Sequence, residues 1–550
     1  MISLRSQQKL CGLLILQGMS CAWAQSDAGA IRQQIEQGIP SPRPESSTPP
    51  LRLAPAQLPS QGDTRVLIKE FVLQGNRLLS DADLQALLSP WLNQRLSFGQ
   101  MHQASQAVAE AYERAGWLAR VLLPAQDVSE GRLRLQIVEA NFGTAHVQAE
   151  PGSRVKPELV QRMLMQAQPS GSPLSLAALD RALLLAGDLP GAQVKGSLRA
   201  GEQEAQTDID IQLSAQPLLL GDLQLDNYGG RSTGNTRLGA NLQLQSPARL
   251  GDQLLASFSA SQGSQYGRLA YTLPLGSQGW RGGVNASLMR YHLIAPEFEA
   301  LDAKGPSSTL GLEASYPLLR SRNTNLYANL NLDHKYFHNQ SLGADTSKYR
   351  IEVASLSFSG NRLDSWARGG ANSFRLGLSG GHVNLNGSAN SQADALTTRT
   401  AGKYLKLNWQ LARQQTLNES LVGVVELSGQ FASKNLDSSE KFYLGGPYGV
   451  RAYPVNEGAG SAGLMARLEL RASLSPQWSA TGFVDAGRVT INQDNHFEGA
   501  PALNKASLSG MGLSAAYSTG KGQRLQATLA TPFANSAQGP RVWVSLSQAL

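Results

Sequence analysis

The sequence predicts two tandem α+β modules followed by an all-β transmembrane barrel of about sixteen antiparallel strands, an even number of the kind single-chain barrels use. Three observations carry this. Helix and strand signals mix between residues 65 and 216. From Leu218 onward helix signals vanish, and alternating segments recur between Gly, Asn, Ser and Pro. Those segments run to about ten residues or more, beyond the five or six of an ordinary soluble strand, on an apolar face lightly built from Leu, Ala and Gly.

Residues 1–24 come first. Arg5 and Lys9 precede an apolar stretch, and Ala22-Trp23-Ala24 follows it, which is the order of a secretory signal cut after Ala24. Both cysteines, Cys11 and Cys21, lie inside that segment, so a mature chain without thiols, disulfides or thiolate metal sites is expected. DAGAIRQQIEQG, within residues 25–38, reads as a short helix. Residues 39–64 are too rich in proline for a helix or central strand and form an extended linker.

The first module, residues 65–141, opens with an alternating strand, VLIKEFVLQGN, that ends at Gly75-Asn76. Ser80 with Asp83 starts one helix, and Ser97 with Gln100 forms a capping box that starts another, stopped by Gly116. Two strands follow, giving the order β-α-α-β-β. Residues 142–216 repeat that order, with helices at PELVQRMLMQA and LAALDRALLLAG.

In the last section, residues 217–550, the strand NTNLYANLNLD sets Leu326, Ala328, Leu330 and Leu332 on one face and Tyr327, Asn329, Asn331 and Asp333 on the other. KYLKLNWQL and GLMARLELRAS divide likewise. A soluble sandwich would turn the leucines inward. The length of the strands and the drift of aromatics to their ends favour the inverse, with lipid on the leucines and water on the polar face.

Composition narrows function. Forty-eight Lys and Arg against 41 Asp and Glu give a net charge of +7, but the cations are scattered, so no nucleic-acid partner is expected. Mean hydropathy is −0.24. Past the N-terminus there is no apolar run of the length a spanning helix needs. Gly377-Leu378-Ser379-Gly380-Gly381 fits G-x-S-x-G, yet it lies in an extended segment and not in the strand-turn-helix setting of a nucleophile elbow. His334 and His338 have the spacing of a helical metal pair, but on a strand four residues span about 13 Å. No P-loop or zinc motif occurs. Neither an enzyme nor a cofactor or metal is expected.

The unusual stretch is the long loop 434–462, where flexible glycines mix with Tyr443, Tyr448, Tyr453 and Arg451. On the strand QWSATGFVDAGRV, Asp485 faces the polar side. An acid in a narrow lumen calls for a cation, which an arginine on a loop folded back into the barrel would supply. Two ordinary solvated charges are the competing reading.

These residues resemble the two-partner secretion outer-membrane transporters of the Omp85 superfamily, which export haemolysins and filamentous adhesins. The likeness covers nearly the whole chain after the signal. F-V-L-Q-G-N with Gly75 and Asn76, and Y-E-R-A-G-W with Tyr112, Gly116 and Trp117, are similar to a signature of POTRA domains. G-G-P-Y-G-V-R-A-Y, with Val450, Arg451, Ala452 and Tyr453, resembles the family's sixth extracellular loop. F-V-D-A-G, with Phe483, Asp485 and Gly487, resembles the matching strand motif. The resemblance implies a plug helix at 25–38, periplasmic POTRA domains at 65–141 and 142–216, and an Arg451–Asp485 pair that anchors the loop in the lumen. It implies a secreted exoprotein of the TpsA type as partner, exported unfolded without ATP, with outer-membrane lipid around the barrel and the barrel-assembly machinery as partner in biogenesis. Ala452 stands where the family has glycine, which is expected to restrict the loop tip. Leu550 stands where an aromatic residue is common, which is expected to weaken the assembly signal. The alternatives are a barrel-assembly factor of the same superfamily, or a passive porin or specific channel with a periplasmic extension.

Overall fold

The computed structural model describes residues 27–39, 65–533 and 539–550. The expected signal, and all of the expected linker but its first residue, lie outside the described residues. The helix read near the N-terminus is α1 (Ala28–Gln37), started by Asp27, whose carboxylate accepts from the Ala30 amide.

The first module contains β1 (Arg65–Ile68), β2 (Glu70–Gln74), α2 (Asp81–Leu88), β3 (Gln94–Ser97), α3 (Phe98–Arg114), β4 (Ala119–Leu122) and β5 (Arg132–Glu139). Ser80 caps α2, and both bonds of the Ser97–Gln100 capping box start α3. The opening strand is not continuous as its alternation suggests. It breaks at Lys69, where the Lys69 and Glu70 amides both donate to the Gly131 carbonyl, so β1 pairs with β3 and β2 runs parallel to β5. The four-residue β3 carries too little pattern to be legible. Phe71, Leu84, Val108, Tyr112 and Leu135 are buried in the core between sheet and helices.

The second module repeats the plan with β6 (Asn141–Ala149), α4 (Pro157–Ala167), α5 (Leu176–Gly187), β7 (Ala192–Ala200) and β8 (Gln206–Ala215). Its sheet order is β6-β8-β7 over a core of Phe142, Val160, Leu164, Leu183 and Ile209. Only Ala140 separates β5 from β6, so the expected boundary after residue 141 falls inside β6. Three backbone bonds tie this junction: the Leu118 amide donates to the Leu174 carbonyl, the Leu174 amide to the Ala140 carbonyl, and the Ala140 amide to the Leu118 carbonyl.

Sixteen strands then close a barrel. The first eleven are β9 (Leu219–Asp226), β10 (Arg237–Gln245), β11 (Gln253–Ala260), β12 (Ser264–Pro274), β13 (Arg281–His292), β14 (Lys304–Arg320), β15 (Thr324–Ser341), β16 (Ala344–Asp364), β17 (Gly370–Asn384), β18 (Gly402–Thr416) and β19 (Leu421–Ala432). A long loop follows that holds two-residue strands, β20 (Phe442–Tyr443) and β21 (Ala459–Gly460). The last five are β22 (Ala462–Ser473), β23 (Trp478–Thr490), β24 (Lys505–Ser518), β25 (Gln523–Pro532) and β26 (Arg541–Ala549). All neighbours are antiparallel, and β26 closes on β9 from Ser545↔Asp226 to Ala549↔Asp222.

The strands face as the alternation predicts. Leu464 is 50 % exposed on the outer wall of β22, whereas the Glu469 side chain on its inner face is 11 % exposed. Leucines on the outside and polar groups inside make this wall a lipid-facing one. No described helix is long and apolar enough to cross a membrane.

The arm meets the barrel at one rim, here the proximal rim. Arg320 at the end of β14 forms a bidentate pair with Asp188 at 2.6 and 2.7 Å, its side chain 1 % exposed. Arg181 donates to the Pro317 carbonyl at 2.8 Å, and the Gly191 amide to Gln245 at 2.7 Å. Arg320→Ala strands Asp188 at this junction and is expected to cost about 3 kcal/mol of docking. Limited proteolysis of the detergent-solubilised protein checks this, since a loosened arm is cleaved from the barrel faster.

Candidate functional site in the barrel lumen

The loop 433–461 turns back into the barrel. Its backbone ties itself through Leu444 N to Gly458 O at 3.0 Å, Gly445 N to Glu457 O at 2.9 Å and Val450 N to Leu444 O at 2.7 Å. Gly449 is required, because a Cβ there would lie 1.8 Å from the Leu444 carbonyl oxygen. Leu444, Val450, Ala452 and Tyr453 are buried against Phe483, Val489, Leu508 and Ala530 of the wall.

Arg451 is held on every side. Its Nε and Nη2 donate to Asp485 at 2.8 and 2.7 Å, and its own amide donates to the same carboxylate at 3.1 Å. Nη1 lies 2.9 Å from Glu469, and the guanidinium carbon sits 3.5 Å from the Phe483 ring centroid. Trp543 Nε1 donates to the Arg451 carbonyl at 2.7 Å. Asp485 is wholly buried. The strand motif thus has a physical reading: Phe483 stacks, Asp485 pairs, and Gly487 leaves room for Leu444, which a Cβ would meet at 2.5 Å. Glu469 and Trp543 escaped sequence reading, because nothing local marks a glutamate or tryptophan whose partner lies on a distant loop.

Ala452 is not at positive φ, so alanine needs no strained backbone here and the restriction expected at the loop tip does not arise. Space for its methyl comes from Gly510, where a Cβ would lie 2.5 Å from that of Ala452.

The helix α1 shares this loop. Ser438 Oγ donates to the Asp27 carboxylate, Gln33 to the Lys441 carbonyl at 2.6 Å, and Asn456 to Gln34 at 3.2 Å. From the wall, Asn339 accepts the Ala28 amide at 3.1 Å, and Tyr266 donates to Glu36 at 3.1 Å. Ala28, Ile31 and Ile35 pack on Tyr266, Tyr291, Phe337 and Tyr349. Burial, and after it the Asp437 carboxylate, push the Asp27 carboxyl up to about 6.

Glu440 pins the loop beside α1. Burial alone would raise its carboxyl, but Lys335 at 2.6 Å and Lys406 at 2.5 Å outweigh burial and hold it below the ordinary range. Glu440→Gln leaves two lysines facing an amide, a loss of about 3 kcal/mol. The temperature at which the folded barrel loses its fast-migrating form on a gel is expected to fall in this variant.

The arm residues singled out in the sequence do not reach the lumen. They gather in the first module around Glu139, which accepts from Tyr112 Oη at 2.8 Å and from the Arg77 and Leu78 amides at 2.6 and 2.7 Å. Gly75 and Gly116 have φ of +95° and +85°. Asn76 donates to the Leu79 carbonyl at 3.4 Å, and Trp117 bridges to Ser175 in the second module. The signature is a folding knot whose centre, Glu139, the motif did not include. Gly377–Gly381 lies within β17, without an elbow. His334 and His338 lie on β15, beside Glu352 at 3.9 Å and Asp345 at 2.7 Å. No metal-binding cluster occurs among the described residues.

A barrel of sixteen strands with leucines outside and polar groups inside, filled by a tethered helix and an inturned loop and carrying a two-module arm, has the architecture of an outer-membrane transporter. Comparison with known proteins narrows this. The family described as haemolysin secretion/activation protein ShlB/FhaC/HecB matches residues 205–515, and the ShlB-type POTRA domain matches residues 66–140. The chain belongs to that haemolysin secretion/activation family, and its POTRA modules lie in the periplasm. It is 22 % identical to the heme/hemopexin transporter protein HuxB of Haemophilus influenzae (strain 86-028NP), over 96 % of this chain and 95 % of that one. It is 26 % identical to the hemolysin transporter protein ShlB of Serratia marcescens, over 83 % and 79 %. The solved structure of CdiB from Escherichia coli shares the fold, with a TM-score of 0.69 at 18 % identity, over 99 % of this chain and 98 % of that one.

Proposed function

We propose that the protein recognises one secreted exoprotein through its POTRA arm and passes it unfolded through the barrel without ATP. The supporting observation is how the lumen is filled. Helix α1 and the loop 433–461 occupy it, and both are held by hydrogen bonds, ion pairs and apolar packing that can be released while the sixteen-stranded wall stays closed. The relatives are transporters of hemolysin and of heme/hemopexin, which points to exoproteins of that general kind as cargo. The arm offers edge strands at β4, β6 and β7 to which an extended cargo segment can add. The periplasm holds no ATP, so folding of the cargo outside supplies the direction.

The test is reconstitution of the full protein in liposomes with an unfolded candidate exoprotein added on the arm side. Protease-protected cargo inside vesicles, in buffer free of nucleotide, is the expected result. Uptake that requires ATP, or that a cargo lacking its N-terminal domain achieves equally, overturns the proposal.

A further inference from the structure

On the outer wall near the periplasmic rim, four neighbouring strands change from apolar to polar at one register. Leu326, Gly360, Phe374 and Leu411 lie side by side across β15–β18, and Thr324, Arg362, Asn372 and Arg413 form the next outward row. That row marks where hydrocarbon gives way to headgroups.

The turn 365–369 stands beside it and is built at a cost. Ala367 and Arg368 both take left-handed backbone, with φ of +43° and +76°, where non-glycine residues are strained. The turn is stapled by Gln415 Nε2, which donates to the Ala367 and Gly369 carbonyls at 2.8 and 3.0 Å. This shape holds Trp366 outward, 68 % exposed, with the Arg413 guanidinium carbon 5.2 Å from its ring centroid. Arg413 is itself neutralised by Asp364 at 2.8 Å. Arg362 and Arg368 are exposed, and their side chains have no hydrogen-bond or ion-pair partner among the described residues.

We propose that Arg362 and Arg368, with Trp366 as an interfacial anchor, bind the phosphate headgroup of an anionic phospholipid in the periplasmic leaflet. A guanidinium takes a phosphate in two parallel hydrogen bonds. Tryptophan belongs at the headgroup level. The lipid is favoured over a soluble anion because the cations border the outward apolar row, so that the acyl chains of the same molecule lie along Leu326, Phe374 and Leu411. This inference does not depend on the transport reading.

The test is native mass spectrometry of the full protein extracted from bilayers of phosphatidylethanolamine with a minority of phosphatidylglycerol, counting phosphatidylglycerol retained per barrel. The R362Q/R368Q variant is expected to lower apparent affinity roughly twenty-fivefold, since each of the two cations at an anionic surface contributes about a factor of five. R362K/R368K, which keeps both charges, retains most of it. Folding is followed by the gel shift of the unheated barrel, and both side chains, exposed and unpaired, leave it unchanged. Three results each overturn the proposal: undiminished retention in R362Q/R368Q, an equal loss in the charge-matched K521Q/R524Q control elsewhere on the rim, or displacement of the lipid by inorganic phosphate alone.

Discussion

Asp485→Ala is expected to lower appearance of the exoprotein in the medium by at least about tenfold, while the barrel remains assembled. The reason is local. Asp485 takes three donors from Arg451 and is wholly buried, so its removal leaves a guanidinium in the lumen with Glu469 as its remaining carboxylate. Breaking a buried pair by removing one partner costs about 3–5 kcal/mol, whereas tenfold in a population needs only about 1.4 kcal/mol. The wall itself depends on backbone ladders that this change does not touch. The measurement is secreted exoprotein per gel-shifted barrel. Asp485→Asn, which keeps the shape but not the charge, is expected to fall between. Full secretion by Asp485→Ala would show that the loop does not need this anchor.

Removing residues 27–38 is expected to raise single-channel conductance in planar bilayers severalfold. Ile31 and Ile35 are buried against lumen aromatics, each worth about 1.5–3 kcal/mol of apolar burial, so the helix dwells in the pore unless displaced. A milder variant reaches the same point. Gly29→Val sets a branched side chain where even a Cβ lies 2.5 Å from Ser438 Oγ, and more frequent opening with an otherwise intact chain is expected. Conductance unchanged by the deletion would mean that the helix does not close the pore.

How far these features can be read from the chain depends on the range of the interaction. Each barrel strand alternates within itself, so all sixteen were legible, with ends misplaced where strands such as β16 continue beyond the membrane as polar ladder. The capping box of α3 lies within four residues and was equally plain. The Lys335–Glu440–Lys406 cluster was not, since it joins two strands to a loop with no mark on any of the three. Arg451 and Asp485 were visible singly, the one by its loop and the other by its parity on β23. What sequence could not supply was the Glu469 and Trp543 half of the same cradle. The broken opening strand was missed for a similar reason: its interruption at Lys69 is imposed by Gly131, some sixty residues away in the chain.

The single residue between the two POTRA modules, with the backbone bonds across it, makes the arm one stiff lever instead of beads on a string. A polypeptide that tugs at the outermost module therefore delivers torque to the barrel mouth, where the Arg320–Asp188 clamp acts as the fulcrum.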